Sequence, residues 1–355
     1  MTETSLAAPE RVQAATALCQ RMLEQLDRIL LGQHELHRMV LVGLLSRGHI
    51  LLEGLPGLGK TALVKALADL LQLDFKRVQF TPDLIPGDIL GAHILQENEQ
   101  GAREMIFRPG PVFTNLLLAD EINRASPKTQ SAMLETMQER CVTLLGTTRP
   151  LPQPFFVLAS QNPIELEGTY PLPEAQLDRF LFRLLVKQVD VAALTAIVHG
   201  RRRGEPPPTD WKLTRAQLEG LFAVMDEIYL SKTVAHYIAR LVSATHPASA
   251  AAPAPVRDYV TYGASPRAAI AIAEAARAYA LLAGRPSAGY EDARTVAAAV
   301  LNHRLILNYT ARFDRVDTVQ VVEQLLAAVP PVDLDLPDAV TVATTPPDDA
   351  RGPAS

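Results

Sequence analysis

The stretch Gly54–Thr61 reads GLPGLGKT, and it stands between an apolar run, HILLEG (49–54), and an apolar helical pattern, ALVKALADLL (62–71). A buried strand that ends on G-x-x-x-x-G-K-T and continues as a helix leaves few choices of fold. The glycines let backbone amides turn toward phosphate oxygens, and the helix opening near Lys60 presents unpaired N–H groups and the positive end of its dipole to the same anion. The residues expected to cradle a nucleoside triphosphate are Gly54, Leu55, Pro56, Gly57, Leu58, Gly59, Lys60, Thr61 and Ala62. Lys60 is expected on the β- and γ-phosphates, and the Thr61 hydroxyl on Mg²⁺.

A second apolar strand, LLLADEI (116–122), ends in two acids. Carboxylates at the C-terminal edge of a parallel sheet lie where ligands bind in such folds. Asp120 is expected to hold Mg²⁺, directly or through its waters, and Glu121 to act as the base for the attacking water. A third run, VLASQNP (157–163), ends on Asn162, which can orient that water or simply begin a turn before proline.

Further strands are expected at FKRVQF (75–80), NLLLAD (115–120), FFVLAS (155–160) and FLFRLLV (180–186), mostly separated by helical segments. That alternation argues for an α/β fold with a mostly parallel sheet covered on both faces. Helices are expected ahead of it, from near Arg11 and from Glu35 to about Arg47. Two stretches break the rhythm. GAHILQENEQGAREMIF (91–107) reads as a hairpin turning near Gln100–Gly101, and CVTLLGTTRPLP (141–152) as another turning near Gly146.

The domain reading is a frayed N-terminus (1–9), an α/β core (10–200) with inserts near 85–108 and 141–152, a charged proline-rich linker (201–212), an all-helical domain (213–328) and a disordered tail (329–355). In the helical domain the expected helices cover 214–228, 231–246, 265–284 and 290–307, with a low-complexity loop at 247–258. The chain has 355 residues, 48% hydrophobic and 21% charged, with a formal net charge of −5. No global basic field marks a nucleic-acid binder. Its 2 cysteines fit a reducing cytoplasm better than a disulfide framework. No signal peptide or membrane-spanning run is visible.

With these residues in hand, the chain resembles the MoxR family of AAA+ ATPases. The resemblance rests on GLPGLGKT, QFTPDLIPGDILGAHIL, FRPGPVFTNLLLADEINRASPKTQSAMLETMQER, LASQNPIELEGTYPLPEAQLDRFLFRL and GASPRAAIAI. It implies a sheet of order 5-1-4-3-2 followed by a helical lid. It also implies Walker A roles for Lys60 and Thr61, Walker B roles for Asp120 and Glu121, and a sensor 1 role for Asn162. Arg179 becomes the arginine finger and Arg267 the sensor 2 residue. The two extra hairpins become the helix-2 insert and the hairpin before sensor 1, which usually face the pore of a ring. Expected cofactors are ATP and Mg²⁺. Expected partners are copies of the chain in a ring, a hexamer, and a client or adaptor bearing a von Willebrand factor A domain.

Both arginines also have plainer readings. Ser265 can cap and Pro266 suits the first helical turn, so Arg267 is a cation where the helix dipole disfavours it. Such an arginine answers either a phosphate or a surface acid such as Glu274. Arg179 can likewise bridge to its neighbour Asp178. The expected function is an ATP-driven ring chaperone that remodels a client or loads a metal or cofactor into it. The alternative is a DNA-dependent motor related to the minichromosome maintenance helicases, whose one local support is GRRRG (200–204). A nucleotide-gated assembly switch with little turnover is the third, disfavoured by Glu121 and Asn162.

Overall fold

The computed structural model describes residues 6–55, 57–97, 103–163, 168–201 and 207–331. Helices α1 (Pro9–Ile29) and α2 (His34–Leu45) lead into strand β1 (Ile50–Glu53), and the glycine loop opens onto α3 (Lys60–Leu71). Next come β2 (Phe75–Gln79), the short α4 (Pro86–Leu90), a hairpin of β3 (Gly91–Glu97) and β4 (Arg103–Pro109), then β5 (Leu116–Asp120) and α5 (Pro127–Glu139). A second hairpin, β6 (Cys141–Leu144) and β7 (Thr147–Pro150), precedes β8 (Phe156–Gln161). The core ends with α6 (Glu174–Leu177), β9 (Phe182–Leu185) and α7 (Val191–Gly200).

Strands β2, β5, β8, β1 and β9 form one parallel sheet in that order. Counted along the chain these are central strands 2-3-4-1-5, which is the order 5-1-4-3-2 from the other edge. The inner strands are apolar on both faces because both faces are covered. Ile50, Leu52, Leu116, Leu118, Phe156 and Leu158 pack into a core with α1, α2 and α3. The alternate residues Leu51, Leu117, Ala119, Val157 and Ala159 pack into a second core with α5. Edge strand β2 is instead largely open, with only Val78 of its five residues buried. This layering brings the C-terminal ends of β1, β5 and β8 together.

The C-terminal part contains α8 (Arg215–Glu227), β10 (Tyr229–Leu230), α9 (Lys232–Ser243), α10 (Ala254–Tyr259), β11 (Val260–Tyr262) and α11 (Pro266–Leu282). It continues through β12 (Ser287–Ala288), α12 (Tyr290–Leu301), β13 (Ile306–Leu307), α13 (Tyr309–Phe313) and α14 (Thr318–Ala328). It is not all helical: β10 pairs with β12 and β11 with β13. These strands are two or three residues long, too short for a periodic signal. The helix expected over 290–307 stops at Leu301, because the chain turns there into β13. The segment 247–258, expected as a loop, ends in α10, with Ala252 and Val256 buried. The N-terminus is not frayed up to residue 9, since Ala7 is buried and α1 begins at Pro9. The turn expected near Gln100–Gly101, residues 202–206 of the 201–212 linker and the tail from 332 lie outside the described residues. The helical part shares one core with α1, α2 and α3 rather than standing apart.

Candidate functional site

The loop after β1 is shaped by its glycines. Gly57 and Gly59 both have φ near +84°, where side chains are strained, and a Cβ on Gly59 would lie 2.9 Å from Leu30 Cδ2. Gly59 is also the N-cap of α3 and offers no side-chain cap, so the first amides of α3 have no local side-chain acceptor at that position. These amides and the helix dipole form an anion seat. Pro56 lies outside the described residues.

Gly57, Gly59, Lys60, Thr61, Ala62, Asp120, Glu121 and Asn162 line one cavity of about 410 Å³, together with Arg77 and Gln79 of β2. Tertiary structure thus joins residues from four segments of the chain. Lys60 Nζ donates to the carbonyl of Gly54 at 2.8 Å, folded back on its own loop. Burial pulls the Lys60 ammonium below its ordinary pKa, against the upward pull of Asp120, Glu121 and Glu53. A phosphate beside it would favour the charged form.

Asp120 sits on the floor of this cavity. Its Oδ1 accepts from Ser160 Oγ at 2.5 Å, and its Oδ2 accepts from Arg77 through Nη2 at 2.7 Å and Nε at 3.1 Å. Glu121 has φ +56°, a left-handed backbone, and its N–H donates to Ser160 Oγ at 3.0 Å. Its Oε2 accepts from Gln79 Nε2 at 2.6 Å and from Arg124 Nη1 at 3.2 Å. Asn162 is buried at the same cavity, at the end of β8. The Thr61 hydroxyl and the Asp120 carboxylate are hard oxygen donors beside a lysine and an anion seat. That donor set fits Mg²⁺ bound with phosphate.

Arg179 and Arg267 are elsewhere. They line a second cavity, of about 340 Å³, that shares no lining residue with the first. Asp178 is its hub. It accepts from Arg304 Nε at 2.8 Å and from Ser265 Oγ at 3.1 Å, and lies 3.6 Å from Arg267 Nη1. Three plain expectations therefore change. Ser265 holds the N-cap position of α11, but no side-chain cap bond forms and its hydroxyl is on Asp178. Glu274 does not pair with Arg267; it pairs with Arg277 one turn along. Asp178 turns to arginines far along the chain, and Arg179 keeps a buried Nε with no hydrogen-bond partner among the described residues. A half-buried guanidinium with an orphaned donor is costly until an acceptor, an anion or a water, completes it.

Three groups of residues escaped the sequence reading. Arg77 and Gln79 were read only as strand, although polar residues two apart on an edge strand share a face, and Gln79 is in register with Asp120. Arg304 follows Asn302 and His303 at the end of α12, with no pattern to mark it. Its guanidinium also donates to the carbonyls of Phe180 (2.6 Å) and Leu181 (3.2 Å), while His303 Nε2 meets Phe180 O at 3.1 Å. Last, an apolar cavity of about 450 Å³ adjoins the glycine loop between α1 and α7, lined by Leu30, Leu31, Val189, Leu194 and Ile197 among others.

An α/β phosphate-loop core with a helical lid defines the AAA+ class of nucleotide-binding proteins, and the comparisons agree. Residues 49–182 match the family described as "ATPase family associated with various cellular activities (AAA)", and residues 254–325 match an AAA lid domain. The chain is 42% identical to Chaperone MoxR1 of Mycobacterium tuberculosis, over 90% of this chain and 84% of that protein. It is 33% identical to Protein MoxR of Paracoccus denitrificans, over 80% and 87% of the two chains. The crystal structure of a candidate ATPase from Cytophaga hutchinsonii superposes with a TM-score of 0.82 at 39% identity, covering 90% of this chain and 97% of that one. The chain belongs to the MoxR family of AAA+ ATPases. Among the described residues no helix is long and apolar enough to cross a membrane.

Proposed function

We propose that this protein binds and hydrolyses Mg-ATP at the subunit interfaces of a ring, hexameric in this reading, and uses the cycle to remodel a client protein or to load a metal or cofactor into it. The observation that carries the reading is the split between the two cavities. One holds the glycine loop, Lys60 and two carboxylates; the other holds Arg179 with its orphaned Nε. An arginine that lines a cavity apart from its own phosphate site can complete the site of a neighbour. Arg267, beside the same Asp178, acts in trans by the same argument.

In this reading Lys60 and the first amides of α3 hold the β- and γ-phosphates, and the base lies in the apolar cavity beside Leu30 and Leu31. Thr61 and Asp120 would hold Mg²⁺, which offsets phosphate charge when bound. Asn162 positions the attacking water, and Glu121 takes its proton as the oxygen bonds to the γ-phosphorus. The β–γ bridging bond breaks and its electron pair stays on the β-phosphate. Arg179 of the neighbour faces the charge that builds on the γ-phosphoryl group. A finger of this kind is worth about 10³–10⁵ in rate.

Exposed apolar residues on the inserted hairpins suit a client contact. Leu95 and Met105 project from the first hairpin and Leu145 from the tip of the second. The two hairpins touch through Arg149, whose guanidinium lies 4.0 Å over the Phe107 ring. A client or adaptor with a von Willebrand factor A domain is the partner this reading favours.

Mixing two inactive variants tests the interface. Arg179→Ala should bind ATP and turn it over poorly, whereas Lys60→Ala should have an empty pocket and an intact finger. Mixed, they can form interfaces with both parts intact, so concentration-dependent ATPase activity should return. Mixed rings that stay inactive would remove Arg179 from the role.

A further inference from the structure

We propose that Arg77 is a positioning residue of the nucleotide pocket: an internal counter-cation of Asp120 that must leave it before that carboxylate can face Mg²⁺. This rests on the nucleotide reading above. Both Asp120 oxygens are engaged within the chain, Oδ1 by Ser160 and Oδ2 by two donors of Arg77. The Asp120 side chain is 12% exposed and fixed in the cavity floor, while that of Arg77 is 48% exposed and stands on the open side. The arginine is therefore the partner that can swing. A side chain reaching two residues along the sheet, from its register partner Leu118 to Asp120, also leaves room to retract.

The second contact of Arg77 gives the swing a consequence. Its Nη2 also donates to Gln79 Oε1 at 2.8 Å, and Gln79 Nε2 donates to Glu121 Oε2. One chain of hydrogen bonds thus runs from the metal-side carboxylate to the candidate base. When Arg77 leaves Asp120, Gln79 loses the partner that orients its amide, and its hold on Glu121 loosens. The arginine stays in the cavity as a cation for the phosphate side.

Electrostatics then set the sign of each effect. Without metal, Arg77 offsets the repulsion between Asp120 and a nucleotide's phosphates, so its removal weakens binding. With metal, Arg77 competes for Asp120, so its removal strengthens the coupling between Mg²⁺ and nucleotide. A strand-pinning ion pair between β2 and β5 would change stability and leave that coupling alone.

The test is titration of a fluorescent ATP analogue in EDTA and in Mg²⁺, with wild type, Arg77→Gln and Arg77→Lys. The ratio of Kd in EDTA to Kd in Mg²⁺ should rise about tenfold or more in Arg77→Gln, and should stay within about threefold of wild type in Arg77→Lys. An unchanged ratio in Arg77→Gln overturns the proposal. Should Arg77→Gln not fold, Asp120→Asn and the double variant Asp120→Asn/Arg77→Gln decide, since neither leaves a carboxylate unpaired. In EDTA the double variant should bind about tenfold more weakly than Asp120→Asn; equal affinity overturns the proposal. A wild type that binds no nucleotide in either condition removes the nucleotide reading itself, a result distinct from an unchanged ratio.

Discussion

Lys60 and Glu121 share a cavity but are restrained differently, and their substitution should separate binding from chemistry. Lys60 is half-buried, held by one carbonyl, and pulled below its ordinary pKa by burial. Its natural partner is an anion that makes charge-assisted contacts, about twice as strong as neutral ones. Lys60→Ala should therefore lose ATP binding; near-normal affinity in a titration would take Lys60 out of the site. Glu121 is tied to Gln79 and Arg124 by its Oε2. Glu121→Gln keeps the shape but cannot accept the water's proton, so ATP should bind while turnover falls about 10²–10⁴-fold. Turnover at the wild-type rate would require another base. The sequence pointed to Lys60 by the spacing of the glycine loop and to Glu121 by two acids closing a second apolar strand, and the fold brings both to one cavity.

The junction of α12 with the segment before β9 is where elements depend on one another. Arg304 is nearly buried, with a side chain only 3% exposed, and it serves Asp178 and several backbone carbonyls at once. It ties the lid to the segment that carries Arg179. Deleting one partner of a buried charge pair costs about 3 kcal/mol or more, and Asp178 would keep only Ser265 and the more distant Arg267. Arg304→Met should lose roughly that much in urea unfolding and lower ATPase activity through the misplaced finger. A loss below about 1 kcal/mol would show the clamp to be dispensable. At the second hairpin the turn residues Leu145 and Gly146 both have positive φ. Glycine marked that turn in the sequence, but the leucine is 81% exposed and strained there. Leu145→Asn, better suited to such a turn, should stabilise the protein by about 0.5 kcal/mol or more in thermal unfolding. No stabilisation would mean that the leucine packs in solution.

Across the whole molecule, two buried histidines make stability depend on pH. His49 joins layers: its Nδ1 accepts from the Val157 N–H and its Nε2 donates to the Met137 carbonyl. Burial is the largest cause that lowers its pKa from 6.5 to about 4, and burial likewise holds His303 well below 6.5. Both folded values lie below the unfolded one, so the unfolded chain binds more protons between them. The stability from keeping these rings neutral is present above about pH 6.5 and is lost as pH falls toward 4. For His49 alone the loss from pH 7 to pH 5 is about 2 kcal/mol. Chemical denaturation at the two pH values should show it, and equal stabilities would contradict it. At the same scale the net charge of −5 predicts that DNA at physiological salt neither binds tightly nor stimulates ATPase activity. Strong stimulation would favour the motor reading.

The sequence by itself determined what is local or periodic. The glycine loop, the two acids at the end of β5 and the buried strands were legible because residue type and backbone path coincide within a few residues. The short apolar runs read as buried strands, and their alternation with helices argued for a parallel sheet. Tertiary structure decided how the charges pair. Asp178 bonds Arg304, 126 residues away, while its neighbour Arg179 keeps a buried nitrogen unsatisfied. Arg77 meets Asp120 across 43 residues because β2 and β5 lie side by side. It was also the fold that set Arg179 and Arg267 in a cavity apart from Lys60. A charged side chain is long and its spacing in sequence is permissive, so its partner is chosen by which segments the packing of the cores brings within hydrogen-bond reach.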